Sequence, residues 1–359
     1  MTATLDPPRP SAAAAALTGG RLTRNATLGI AAGAVVVGAL SWVPSGAVNW
    51  ARWAIVGVAV YLIALYGVAR RIEGPRKALD RFVTAAVTSC FGLILLPLIS
   101  VVWTVVSKGT GRFDGTFFTS TMRSVVGEGG GAYHAILGTL IITGLATLIS
   151  VPIGVFTAIY IVEYGSKESK LSAGITTMVD VMTGIPSIVA GLFAYALFVI
   201  FAGPGTRTGF AGAVALAVLM IPIVVRSSIE MLRLVPDELR HASYALGVPK
   251  WLTILKVVLP TAAAGILTGV TLAIARVIGE TAPLLIASGF AQDTNLNPFS
   301  GRMTTLPVMA YYSYTQPGTP REPGLDRAWT ASLVLILLVA ILFTIARVIA
   351  KFLRPEGMR

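Results

Sequence analysis

Charge is scarce in this sequence. Of 359 residues only 12% are charged and 55% are hydrophobic, where an average soluble domain is roughly a quarter charged. Most of the chain is therefore excluded from a water-facing surface and belongs in lipid. The single cysteine, Cys90, excludes an intramolecular disulfide. The two histidines, His134 and His241, stand far apart without cysteines or clustered carboxylates at ligand spacing, which argues against a metal site. No cofactor is expected. No Gly-Lys dipeptide occurs, so a Walker A phosphate loop is absent, and no nucleophile, base and orienter converge as a membrane enzyme would require. The basic excess, 28 Lys and Arg against 16 Asp and Glu, does not point to nucleic acid, because cytoplasmic membrane loops are basic by rule. An anionic cargo or an anionic lipid surface suits it.

What is present is a succession of apolar runs. About eight approach the roughly twenty residues needed to cross a bilayer: 26–44, 50–69, 83–106, 133–161, 173–202, 209–225, 258–288 and 329–350. The expected fold is an all-α polytopic membrane protein. With the N-terminus inside, 19 Lys and Arg fall in inward loops and termini and 7 in outward loops. That asymmetry predicts both termini in the cytoplasm.

Residues 1–25, with the run SAAAAALTGG, read as a disordered cytoplasmic tail. Residues 26–81 form a two-helix extension ending in the basic loop RRIEGPRKALDR, and 82–359 form the remaining six-helix core. Two outward loops are long. GEGGGA within 107–132 lacks the preceding strand and following lysine of a phosphate cradle and reads as a flexible linker. Residues 289–328 carry five prolines and the aromatic cluster MAYYSY, which suggests a docking surface.

Within one apolar run, ARVIGETAPLL places Arg276 and Glu280 four residues apart, on one face of a helix. Gly265, Gly269 and Ala273 fall within about 60° of Arg276, so either another helix or a passing solute can approach that side. An Arg at a helix centre costs roughly 2.5 to 3.5 kcal/mol. Two readings follow: a transport route that includes Thr281, or a structural ion pair. A second stripe, Thr177, Asp180, Gly184, Ser187 and Gly191, spans an arc of about 80° in the preceding core. Asp180 fits a route and an interfacial carboxylate equally well.

The largest inward loop, 226–257, contains VPDELRHASYALGVPKW. Pro236 suits a helix start, Asp237 and Glu238 favour the positive end of its dipole, and Gly247 suits a left-handed stop. A helix of about 11 residues is predicted, with Leu239, Ala242 and Leu246 on one face. It either docks into a partner's groove or lies on lipid headgroups.

From Asp237 to Pro260 the chain resembles the EAA loop of bacterial ABC importer permeases: Gly247, Val257, Leu259 and Pro260 match in register, and Ala242 fills the middle of the triplet. His241 stands where the family has glutamate and Ser243 where it has the second alanine. YALGVPKW, ARVIGETAPLL, GIPSIVAGLF and TLPVMAYY resemble the phosphate-importing branch of that family over about residues 83–350. The resemblance implies a permease of the bacterial plasma membrane working with a sister permease, an ATPase dimer and a phosphate-binding protein. It implies ATPase coupling through Asp237, Glu238, His241, Ala242, Tyr244 and Gly247, and inorganic phosphate passing Arg276, Glu280, Thr281, Asp180 and Ser187. An importer of another oxyanion, such as sulfate or molybdate, and a secondary transporter or channel are the alternatives.

Overall fold

The computed structural model describes residues 20, 22–41, 50–165 and 169–352, so nearly all of the expected tail lies outside the described residues. Every regular element among them is helical. The chain divides into one unit ending at Trp103 and a second beginning at Thr104.

The first unit holds α1 (Arg24–Leu40), α2 (Trp50–Ile72) and most of α3 (Pro75–Gly109). The α1 and α2 backbones meet at Gly38, where an added Cβ would stand 2.9 Å from the Trp53 carbonyl oxygen. In the turn between α2 and α3, Glu73 accepts from Arg81 Nε and Nη2 at 2.6 and 2.8 Å and from the Leu22 N–H. This clasp fixes the start of α1 against that turn.

The second unit contains α4 (Gly115–Thr119), α5 (Tyr133–Ile159), α6 (Lys170–Thr183), α7 (Ser187–Ala202), α8 (Gly209–Arg233), α9 (Asp237–Ala245), α10 (Lys250–Thr253), α11 (Leu259–Val277), α12 (Ala282–Ala287), α13 (Leu306–Thr315) and α14 (Glu322–Phe352). A turn of π-helix, Tyr160–Tyr164, ends α5, and another, Ile254–Val258, joins α10 to α11. Ile142, Leu216, Met220, Val224, Leu232, Val258 and Leu284 form the centre of its core. Lipid tails are as apolar as leucine, so helices in a membrane gain by close approach rather than by escaping water. Glycine permits that approach. A Cβ on Gly154 of α5 would stand 2.6 Å from Val224 of α8, and one on Gly265 of α11 would stand 2.3 Å from Met231 of α8.

Among the described residues, six helices are long and apolar enough to cross a membrane. The helices α6 and α7 are together long and apolar enough for a seventh crossing if they count as one span, but the 107° bend between them fits a broken span and a re-entrant loop alike, so six or seven crossings replace the eight expected. The first expected span is represented by α1, which at 17 residues falls just under the usual length; residues 42–49 lie outside the described ones. Two further expectations are corrected. The runs 173–202 and 258–288 are interrupted helices rather than straight spans. GEGGGA is an ordered turn, because its carbonyls hold two arginines: Arg327 Nη1 donates to Gly127 and Gly129 at 2.7 and 3.1 Å, and Arg112 donates to Gly129 and Gly130 at 3.2 and 3.0 Å. Its Gly127, Gly129 and Gly130 carbonyls face guanidinium groups, and its Gly131 and Ala132 N–H groups are taken by the Thr121 and Phe117 carbonyls, an arrangement that suits cations and not phosphate.

Candidate functional site

Both stripes singled out in the sequence meet a break in their helix, and the first is divided by it, Thr177 and Asp180 standing on α6 and Ser187 and Gly191 on α7, so the single arc expected of it is not kept. In the first, α6 closes with Gly184 and Ile185 N–H groups bonded three residues back, to Val181 and Met182. Pro186 supplies no N–H to continue the ladder, and α7 restarts at Ser187 in a new direction. In the second, Ile278 and Glu280 donate to Ile274 and Val277, after which α12 begins at Ala282 with Pro283 in its first turn. The restarted halves touch. A Cβ on Gly191 of α7 would lie 2.5 Å from Pro283 Cα of α12. Thr281, at the second break, lines a cleft of about 340 Å³ with Gly279, Tyr311, Tyr314, Trp329 and Ser332. The MAYYSY cluster expected on a loop is wholly helical, within α13.

Arg276 and Glu280 pair across the end of α11, Nη1 to Oε1 at 3.5 Å. That separation is an ionic contact rather than a hydrogen bond. The guanidinium is 64% exposed and the carboxylate 15%, so the cation is presented and the anion partly shielded behind it. The small residues on the same face have a different use. A Cβ on Gly269 would lie 2.4 Å from Ser227 Oγ, and Ala273 is fully buried. They seat α11 on α8, leaving Arg276 free at the end of the seam.

Asp180 has a partner that sequence spacing did not suggest, Arg226 of α8, at 2.6 Å with both side chains about half exposed. Ser187 is half-buried at the first turn of α7. Thr177 donates to Ala173 in its own helix.

The predicted docking helix is α9, nine residues long. Gly247 has φ +77°, its N–H donates to Tyr244 and the Val248 N–H to Ser243, the paired bonds of a Schellman stop. Leu239 and Leu246 are 42% and 83% exposed, and Asp237, Glu238, His241, Ala242 and Tyr244 are exposed as well. Ser243 alone on this helix is buried, its hydroxyl 2.8 Å from Thr253 Oγ1; that pairing satisfies a polar group where the EAA pattern has alanine. Arg240, off the face that Leu239, Ala242 and Leu246 share, turns inward onto Glu163 at the end of α5. Neither Glu163 nor Arg226 was singled out, since each has its partner tens of residues away.

Residues 150–356 match the family described as binding-protein-dependent transport system inner membrane component. The phosphate transport system permease protein PstA 1 of Mycobacterium tuberculosis H37Rv is 44% identical over 287 residues, covering 79% of this chain and 91% of that protein. The PstA protein of Mycobacterium leprae is 44% identical over 278 residues, covering 76% and 89%. That of Yersinia pestis is 39% identical over 283 residues, covering 78% and 92%.

Proposed function

Because this chain belongs to the binding-protein-dependent transport system inner membrane components, and within them to the PstA phosphate transport permeases, we propose that it passes inorganic phosphate across the bacterial plasma membrane by way of Arg276. It is a permease subunit of a phosphate ABC transporter. Its partners on this reading are a PstC-like sister permease, a PstB-like ATPase dimer seated on α9 and a PstS-like phosphate-binding protein. ATP is hydrolysed by the ATPase dimer, and both termini face the cytoplasm, in keeping with the Lys and Arg asymmetry.

The single observation that carries the role of Arg276 is its loose pairing at a helix break. A guanidinium is permanently charged and presents five donors in a planar fork that matches phosphate oxygens. One long contact to Glu280 leaves that fork available. Glu280 supplies a competing anion, so phosphate that reaches Arg276 is not held too tightly to leave. Asp180 and Arg226 place a second arginine–carboxylate pair near the other break, a tighter one at 2.6 Å, and Thr281 and Ser187 add hydroxyls at the two restarted helices. A secondary transporter has no use for the exposed apolar face of α9.

The test is ATP-driven uptake of labelled phosphate, with sulfate as competitor, into vesicles holding all four kinds of subunit. Wild-type complex is expected to take up phosphate against excess sulfate. Arg276→Ala is expected to assemble normally and lose uptake by roughly a hundredfold or more, the cost of deleting a charged ligand. Undiminished uptake by that variant would remove Arg276 from the route, and equal competition by sulfate would widen the cargo to oxyanions generally.

A further inference from the structure

We propose that Glu163 and Arg240 form the joint through which movement of α9 enters the helix bundle, a proposal that rests on reading α9 as the ATPase contact. Arg240 commits every donor it has. Nε and Nη2 reach Glu163 Oε1 at 3.2 and 2.9 Å, Nη2 also reaches the Leu232 carbonyl at 3.0 Å, and Nη1 reaches the Val235 carbonyl at 2.6 Å and Asp237 Oδ1 at 3.0 Å. Leu232 lies in the last turn of α8, Asp237 opens α9, and Glu163 belongs to the π turn that ends α5. One side chain thus ties three elements together. The Arg240 and Glu163 side chains are only 12% and 4% exposed, and stability alone would be served as well by apolar residues of the same volume. What this geometry adds is direction, since α9 cannot tilt without pulling on α5 and α8.

A second, weaker tie runs from Ser243 to Thr253, and so through the Ile254–Val258 turn to α11, which carries Arg276 in its last turn. Both ties adjoin π turns, Tyr160–Tyr164 and Ile254–Val258, where the helix ladder is locally rearranged, as it frequently is at functional sites. Glu163 touches neither cargo nor nucleotide on this view. It is a positioning residue.

The experiment measures phosphate ions moved per ATP hydrolysed by the reconstituted complex. Glu163→Gln keeps the side chain's shape and an acceptor but removes its charge. The ratio is expected to fall roughly tenfold, the scale on which residues remote from both ligands alter coupling, with the KM for ATP unchanged. Ser243→Ala, which loses one neutral hydrogen bond, is expected to lower it about threefold or less. A merely structural pair predicts a lower melting temperature with an unchanged ratio per assembled complex, and that result overturns the proposal. Where Glu163→Gln fails to assemble, Arg240→Lys, which keeps the charge and loses the fork, must show the same tenfold loss; an unchanged ratio there overturns the proposal equally. Leu246→Asp, on the outer face of α9, separates the two levels. If it abolishes stimulation of ATP hydrolysis by loaded binding protein while Glu163→Gln keeps the wild-type ratio, the joint alone is wrong. If it leaves stimulation intact, the ATPase contact fails and the joint fails with it.

Discussion

Arg240 gives all its donors to acceptors within 3.2 Å, whereas Arg276 meets Glu280 at 3.5 Å with most of its surface exposed. The two pairs share their chemistry and differ in surroundings. Arg240 is only 12% exposed at the wall of an open cleft and backbone carbonyls complete its shell, so opening the pair would strand a largely buried charge. Around Arg276 the guanidinium is already largely free, and an exposed pair of this kind contributes only about 0 to 1 kcal/mol. One arrangement resists exchange of partners and the other permits it. On the functions proposed for them, the first is a stiff attachment where force arrives and the second a yielding one where an anion passes.

The largest expected effect breaks the stiff side of that contrast. Glu163→Ala leaves Arg240 buried without its main counter-charge, and removal of one partner from a buried pair costs about 3 to 5 kcal/mol. Thermal unfolding of the purified complex should show it, whereas Arg276→Ala should leave the melting temperature close to wild type. Similar losses from the two variants would erase the distinction. Gly247→Val comes next. At φ +77° with no atom near the added side chain, the cost is backbone strain of roughly 1 to 2 kcal/mol, concentrated where α9 ends. Stimulation of ATP hydrolysis by loaded binding protein should be lost while assembly survives, and undisturbed stimulation would show that α9 needs no fixed stop.

A third arginine–carboxylate pair, Arg81 with Glu73 in the first unit, sharpens the comparison through pH. Burial pushes the Glu73 carboxyl up, but the Leu22 N–H and the hydrogen bonds and charge of Arg81 outweigh it and hold its pKa below the ordinary value. A carboxylate whose folded pKa is lowered stabilises fully above its unfolded pKa and loses that contribution as pH falls through the folded one. Hydrogen-exchange protection around Leu22 and Glu73, corrected for the intrinsic pH dependence of amide exchange, should therefore be flat from about pH 5 to 8 and fall only below about pH 4. A loss of protection near neutrality would mean that the clasp is not ionic.

The features read correctly from the sequence are those with local causes. Apolar runs mark the long helices, Pro236 and the acidic first turn mark the start of α9, and Gly247 marks its end. The helix breaks have local causes too, Gly184 with Pro186 and Gly279 with Pro283, but mean hydropathy averages over them and reports one continuous span. Glu163 and Arg226 are a different case. Each lies at the end of an apolar run and meets a partner 77 or 46 residues away, so no periodicity within a helix could single them out. The small stripe on α11 was legible as a stripe. Its use was not, because a helix and a solute ask the same thing of glycine, and only the facing Ser227 and Met231 decide between them.

The smallest effect on stability is expected where the yielding pair is removed whole. In Arg276→Ala with Glu280→Ala no charge is stranded and the seam of α11 on α8 is untouched, so stability should stay within about 1 kcal/mol of wild type. Uptake is the discriminating measurement. With Arg276 as the phosphate ligand, the double variant remains as inactive as Arg276→Ala alone, because deleting the competitor does not replace the ligand. Glu280→Gln, by contrast, keeps the ligand and removes the competing charge, so release should slow several-fold, on the order of 1 kcal/mol of lost competition, with binding intact. A structural pair predicts the reverse pattern: both single alanine variants destabilised, and the double variant restored in stability and uptake together. Single-turnover release of labelled phosphate, set beside melting temperatures for all four variants, separates the two, and recovery of uptake in the double variant would return Arg276 to a purely structural role.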